Sequence, residues 1–231
     1  MNDIFEAEKL LDAYDRILPL ARHYKDVLSI HQRELDSCKD VIDLGCGTGN
    51  PTLGFLRRGI RVTAVDVSQK SLDILKKKAV SEGFGAQLTI LQADITNLGD
   101  IPSESFDGAS SSIVAHLLKQ YERHIEEGYR VLKPSGRFVI TARCAGRDPA
   151  LLVESTKDSL IASGDYGDHK SDFEIVRDNL LMTANNRSSS LMSEKDAEDL
   201  LHDAGFRGIR NIPNKTLGVM YTFSTDKPYS V

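Results

Sequence analysis

From Asp40 to Ala142 the chain alternates short strand-like runs, the second of them rich in β-branched residues, with stretches of helical periodicity. The runs are KDVIDL (39–44), IRVTAVD (60–66), QLTILQA (87–93), FDGASSSI (106–113) and RFVITA (137–142). One helical pattern opens at Pro51, whose missing N–H does no harm in a first turn, and stops near Gly59. A second is capped by Ser68, carries Leu72, Leu75 and Ala79 on one face and ends at Gly83. A third covers 117–132 and stops before Lys133-Pro134. Strands joined by short helical crossovers pair in parallel, with helices on both faces of the sheet.

The flanks read differently. Residues 5–35 predict two short helices parted by Pro19, with Leu10, Leu11, Tyr14, Ile17 and Leu18 at helical spacing. Residues 143–192 show no strand pattern and mix polar, Gly and Ser residues with fragments such as FEIVRDNLLM (173–182). A helix follows over 193–204, opened by Ser193 with Asp196 in a variant of the capping box and stopped by Gly205. Residues 206–212 and 216–224 then predict an antiparallel strand pair.

The chemistry concentrates where the first run ends, in Asp43-Leu44-Gly45-Cys46-Gly47-Thr48-Gly49-Asn50. Three glycines allow a tight turn and let a ligand lie against the backbone. Amides there and at the following helix start can hold a carboxylate. The dinucleotide fingerprint G-x-G-x-x-G is the competing reading, but its third glycine position holds Asn50. Asp43 is placed to accept from an ammonium group or to cap the turn; Asn50 serves equally as helix cap or contact. Asp66 ends the second strand, where a carboxylate takes the two hydroxyls of a ribose. Asp94, with Ala93 and Ile95, ends the third, where an acid beside an apolar residue suits an adenine; it could also cap the loop before Asn97. Cys46 reads as a small packing residue rather than a nucleophile.

The segment VIDLGCGTGNPTLGFLRRGIRVTAVDVSQKSLDILKKKA resembles the opening half of the class I S-adenosylmethionine-dependent methyltransferases. LQADITNL, FDGASSSIVAHLL and VLKPSGRFVIT resemble that family's later motifs, in order, over about residues 36–142. The resemblance implies a Rossmann-like seven-stranded, mostly parallel α/β sheet with helices on both faces, a final antiparallel pair and a helical lid. It implies one domain over 1–231: a helical cap (1–36), a cofactor-binding half (37–142), a lid insertion (143–192) and a closing helix with strand pair (193–231). S-adenosyl-L-methionine is the implied cofactor. Its methionine part falls to Asp43, Gly45, Cys46, Gly47, Gly49 and Asn50, its ribose to Asp66 beside Val67, and its adenine to Ala93, Asp94 and Ile95. Ser111, and Tyr14 from the N-terminal helix, complete the expected cofactor contacts, although Tyr14 also fits plain core packing.

The sulfonium makes the methyl group electrophilic, so in-line positioning of the acceptor is the protein's main task. Small serines at 110–112 leave room for a small acceptor, and the Asn/Asp-Pro-Pro-Tyr motif of the DNA and protein-glutamine members is absent. His116, just past the fourth strand, is the candidate proton acceptor, with helix capping or packing an equal reading; Tyr24 is a further candidate. His23, His124 and His202 fall in helical patterns and are expected at the surface. His169 sits among carboxylates without metal-ligand spacing, and no metal is expected.

Composition narrows the partners. A net charge of −5 and the lack of a clustered basic face argue against a nucleic-acid acceptor. Cys38, Cys46 and Cys144 are too few and too widely spaced for a disulfide framework or a zinc site. No run approaches membrane-spanning length, and the acidic N-terminal segment is not a signal peptide, so a cytoplasmic enzyme with a small-molecule O or N acceptor is expected. The rival readings are an NAD-dependent oxidoreductase, aminopropyl transfer, and a non-catalytic cofactor-binding subunit acting through a partner.

Overall fold

The structure, a computed structural model, describes residues 2–186 and 191–229. Residues 187–190 of the expected lid insertion therefore lie outside the described residues. Elements follow in the order α1 (Asn2–Ile17), α2 (Arg22–Glu34), β1 (Asp40–Leu44), α3 (Asn50–Leu56), β2 (Arg61–Asp66), α4 (Gln69–Ser81), β3 (Leu88–Gln92) and β4 (Phe106–Ser112). Then come α5 (Tyr121–Val131), β5 (Leu132–Arg143), α6 (Ala150–Ser163), α7 (Tyr166–Asn186), α8 (Glu194–Asp203), β6 (Arg207–Asn211) and β7 (Met220–Asp226). Seven strands form one sheet in the order β3-β2-β1-β4-β5-β7-β6. β1 to β5 run parallel, and β7 runs antiparallel to both β5 and β6. This is the Rossmann-like architecture with a reversed strand that the sequence predicts.

Alternation along the strands sorts the two faces. Ile42, Leu44, Ala109, Ile140 and Ala142 point to one face and pack with Ile125 of α5, Leu201 of α8 and Phe206. Val41, Val62, Ala64 and Val139 point to the other and pack with Leu53 and Phe55 of α3 and Leu72 and Leu75 of α4. Each fully buried Leu or Phe contributes about 1.5–3 kcal/mol. The caps are as expected: Ser68 accepts from the Ser71 amide, and Ser193 and Asp196 form a reciprocal capping box. Pro19 interrupts the N-terminal segment with a short 3-10 turn over Leu18–Leu20.

A separate helical layer joins α1, α6 and α7 through Ala13, Ile17, Val153, Leu160, Phe173 and Val176. Arg16 holds Asp172 of α7 with two hydrogen bonds of 2.7 and 2.8 Å. No helix among the described residues is long and apolar enough to cross a membrane.

Three expectations need correction. The last strand begins at Met220, not at Thr216, because Leu217 and Gly218 turn the chain with φ of 57° and 75°. The helix expected over 117–132 begins only at Tyr121, after a 3-10 turn at Ala115–Leu117. His23 and His124 are buried rather than at the surface, while His202 is exposed. Both lie on the inward stripe of their helices, His124 with Tyr121, Ile125 and Gly128 on α5. His124 is held by the Ile95 carbonyl at Nδ1 (3.4 Å) and the Ser111 hydroxyl at Nε2 (2.8 Å).

Burial pushes His124 down from 6.5 to about 4. The folded protein resists a proton that the unfolded chain accepts. The stability this contributes is complete above the unfolded value and is lost as the pH falls through about 4. H124Q should therefore be less stable than the parent near pH 7, and the gap should narrow by roughly 2–3 kcal/mol toward pH 4. Urea unfolding of both proteins across that range measures it; a gap that stays constant would show that His124 is not held neutral.

Candidate functional site

The turn from β1 into α3 carries Gly45, Gly47 and Gly49 at φ of 75°, 53° and 90°, left-handed backbone that disfavours other residues. Space imposes a second demand. A Cβ on Gly45 would lie 2.6 Å from Cγ2 of Val114, and one on Gly49 would lie 2.2 Å from Cδ1 of Leu75. At Gly47 a Cβ would meet nothing within 4 Å, so the backbone there faces open space. The Gly45 and Cys46 amides donate to the Val65 carbonyl at 2.8 and 3.0 Å, fastening the turn to β2. Asp66, the last residue of β2, completes the fastening. Its Oδ2 accepts from the Gly47 amide and its Oδ1 from the Ser68 amide, each at 2.9 Å.

Asp43 lies buried beneath this turn, its Oδ2 accepting from the Thr52 hydroxyl at 2.6 Å. Oδ1 makes no well-formed hydrogen bond. Burial lifts the Asp43 carboxyl to about 6, against the opposing pull of the Thr52 and Ser110 hydroxyls. A polar row continues across the sheet from there. His31 of α2 lies 3.1 Å from Ser110 Oγ and 2.9 Å from Thr141 Oγ1, and Thr141 lies 2.8 Å from the Thr222 hydroxyl. Burial lowers His31 to about 3, so this row is neutral at ordinary pH.

Above the turn, between the strand ends and the helical layer, lies a cavity of about 460 Å³. Of the predicted site residues, Tyr14, Gly45, Cys46, Gly47, Asn50, Asp66 and His116 line it, as does Tyr24. Tyr24 is buried, and its hydroxyl interacts with Asn50; burial makes that hydroxyl harder to ionise, raising its pKa above the ordinary tyrosine range. The Cys46 thiol is likewise pushed up by burial and by the Asp43 and Asp66 carboxylates, which disfavours the thiolate. His116 stands in the 3-10 turn after β4 and is buried.

The remaining predicted residues lie elsewhere. Asp43 and Gly49 support the turn from behind. Val67, Ala93 and Asp94 flank Asp66 outside the cavity; the Ala93 amide donates to the Asp66 carbonyl, and Val67 and Asp94 are exposed. Asp94 also caps its own loop, accepting from the Thr96 amide and hydroxyl. The Ile95 side chain is buried in the core. Ser111 faces away from the cavity, toward His124 on α5, because successive side chains of a strand alternate. The cavity-facing serine of β4 is Ser112.

Sequence reasoning missed Asp15, Thr48, His23, Arg143, Thr156 and Asn179, which also line the cavity. Arg143 did leave a signal, a charge directly after the apolar RFVITA run. Asp15 and Lys78 left none, since they are 63 residues apart and meet only in the fold. Asp15 of α1 accepts from the Thr48 hydroxyl and from Lys78 of α4, each at 2.5 Å, and Lys78 also reaches the Thr48 carbonyl at 3.3 Å. This cluster clamps α1 onto the glycine turn. Among the described residues, no group of three or more His, Cys, Asp or Glu side chains could hold a metal ion.

Residues 42–140 match the family model of a methyltransferase domain. This segment is a class I S-adenosylmethionine-dependent methyltransferase domain. The whole chain shares its fold with a possible histamine N-methyltransferase from Thermotoga maritima, at 21% identity and a TM-score of 0.64 over 98% of this chain and all of that one. It also shares the fold of phosphoethanolamine N-methyltransferase 2 from Haemonchus contortus, solved with S-adenosylhomocysteine, at 18% identity and a TM-score of 0.67 over 94% of this chain and 57% of that one. In sequence it is 28% identical, over 74% of its own length, to an S-adenosyl-L-methionine-dependent Diels-Alderase from Neonectria sp. (strain DH2), of which it spans 60%. S-adenosylmethionine is the cofactor of this domain family.

The clamp ties α1 to the methyltransferase domain with a measurable hold. Replacing Asp15 by Ala removes charge-assisted bonds worth about 1.5 kcal/mol in a partly exposed setting. The D15A variant should therefore exchange the amide hydrogens of α1 about tenfold faster, with β1 unchanged. Equal exchange in α1 of parent and variant would show that the clamp does not hold the cap.

Proposed function

We propose that the chain transfers a methyl group from S-adenosylmethionine to an O or N atom of a small-molecule acceptor bound in the cavity. The observation that carries this reading is the cavity itself. It joins the open face of Gly47 and the Asp66 carboxylate to a chamber roofed by Tyr14 of α1, Leu152 of α6 and Leu180 of α7. A volume of about 460 Å³ under helices suits a small molecule and not a polymer.

The residues present fit the cofactor. A side chain at Gly47 would project into free space, so the bare backbone there is open to a ligand. The glycine turn and Asn50 would hold the methionine part, and Asp66, with lone pairs left after its two amide bonds, the ribose. Val67, Ala93 and Asp94 form the shelf beside Asp66 where the adenine would lie. When bound, the cofactor supplies an electrophilic methyl at its sulfonium.

The protein's own contribution is alignment. The helical cap and the ends of β4 and β5 fix the acceptor over the glycine turn, and positioning of this kind supplies up to about 7–11 kcal/mol in favourable cases. His116 at the rim would accept the acceptor's proton where that proton is tightly held. His23, lowered to about 4 by burial, stays neutral there.

A second reading has its own support. The Diels-Alderase relative matches over most of the chain, well beyond the methyltransferase domain itself. In that reading the cofactor stays intact, and the cavity templates a ring closure between two unsaturated groups of one bound molecule. The same chamber would serve, and His116 would have no proton to take.

Calorimetry with S-adenosylhomocysteine tests the common ground. Micromolar binding is expected for the parent, with loss for D66A; no binding, or a preference for NAD, would sink the reading. Methyl transfer then requires one S-adenosylhomocysteine released per product, whereas ring closure releases none. H116A should lower the rate by about a hundredfold and remove the acidic limb of the pH profile if the acceptor must lose a proton.

A further inference from the structure

Charge is unevenly spread around the cavity. Asp15 and Asp66 lie at the glycine-turn end, with Asp43 buried just behind. At the other end Arg143 closes β5, only 4% exposed. It is the one fixed positive charge among the described residues that line the cavity. Met220, its partner on β7, clusters with Leu152 and Ile113 in an apolar part of the cavity lining, and the charge is largely withdrawn from water. The guanidinium's fork of five N–H donors matches two oxygens of an anion side by side.

A second group points to the same ligand. Ser112 pairs in register with Thr141, two residues before Arg143, so Ser112 and Arg143 share one face of adjacent strands. Its Oγ is buried, lines the cavity and makes no hydrogen bond among the described residues. A buried hydroxyl without a partner is unfavourable in a folded protein unless a ligand supplies one. The Thr156 hydroxyl on the opposite wall is already committed to the Leu152 carbonyl at 2.8 Å, so it does not compete.

We propose that Arg143, with Ser112 beside it, anchors an anionic oxygen group of the acceptor, a carboxylate or a phosphate, attached to an apolar body. This rests on the methyl-transfer reading of the cavity and adds the acceptor's chemical class. The anchor lies at the end of the chamber away from the acids of the glycine turn. The acceptor's reactive atom would then face His116 and the turn, while its charged end is held at β5. An acceptor with a cationic end would meet a like charge at Arg143 and is disfavoured.

The test is calorimetry on protein saturated with S-adenosylhomocysteine, using phenylacetate, phenyl phosphate and the neutral phenylacetamide as probes. At least one anion should bind about tenfold or more tightly than the amide, and the better anion tells carboxylate from phosphate. R143M should bind that anion no better than the amide while still binding S-adenosylhomocysteine. R143K should keep the anion preference with weaker affinity, because a point charge replaces the fork. Equal binding of amide and anions, no binding of any probe, or an anion preference that survives in R143M overturns the anchor. So does loss of S-adenosylhomocysteine by both variants, which would assign Arg143 to the cofactor. If the parent itself fails to bind S-adenosylhomocysteine, the cofactor reading falls first, and the two failures are told apart.

Discussion

The close approach of one backbone turn to its surroundings is the constraint on which the strand ends depend. Gly45 lets Val114 pack against the start of the turn, and Gly49 lets Leu75 pack against its end. Both glycines also hold left-handed φ values that cost other residues roughly 1–2 kcal/mol each. Asp66 then ties the middle of the turn to the next loop through two backbone amides. Three strand ends are thereby fixed relative to one another before any ligand arrives. Only Gly47 is left bare, and it is bare toward the cavity.

Beneath the turn, the sheet is polar where a sheet interior is usually apolar. Ser110, His31, Thr141 and Thr222 form a buried hydrogen-bonded row that starts beside Asp43. A half-satisfied buried network is worse than an apolar core, and a satisfied one specifies a single arrangement of its members. Here the row joins α2 to β4, β5 and β7, so it sets the position of the helix that carries Tyr24 and His23 into the cavity. Asp43 sits at its end with a carboxyl raised to about 6, so near neutral pH part of the population carries a proton there. The packing of the cap and the charge under the glycine turn are therefore joined by one chain of hydroxyls and an imidazole.

What the sequence disclosed follows from the range of the interactions involved. The five parallel strands and the glycine turn are written in local patterns, apolar runs and fixed spacings, and they stand close to where those patterns put them, although β5 begins at Leu132, five residues before the RFVITA run. Parity within SSS at 110–112 is not local information: three identical small residues carry no alternation, and only packing against His31 and His124 reveals that Ser110 and Ser112 face one way and Ser111 the other. His124 was legible in principle, three residues after Tyr121 and one before Ile125 on the apolar stripe, but a polar ring on such a stripe reads as surface until its partners are seen. The clamp of Asp15, Thr48 and Lys78 was not legible at all. Its members come from three separate segments, and nothing in the local pattern of any one of them points to the other two.

This division between local and tertiary information separates the two halves of the site. The glycine-turn side of the cavity is built from near-consecutive residues at strand ends, so its pattern can be read from a motif. The opposite side is built from α1, which contributes four residues, from α2, α6 and α7, with two each, and from the tips of β4 and β5. Such a surface can change its ligand by single substitutions without disturbing the sheet, because Leu152, Thr156 and Leu180 take no part in the strand core. A shared fold therefore fixes where the cavity sits and leaves much of its lining to a few helix residues. Arg143 is the exception: its backbone stands on the sheet itself, in register with Met220 of β7. A buried charge on the sheet would act on any ligand that enters the cavity, whatever the cap helices select.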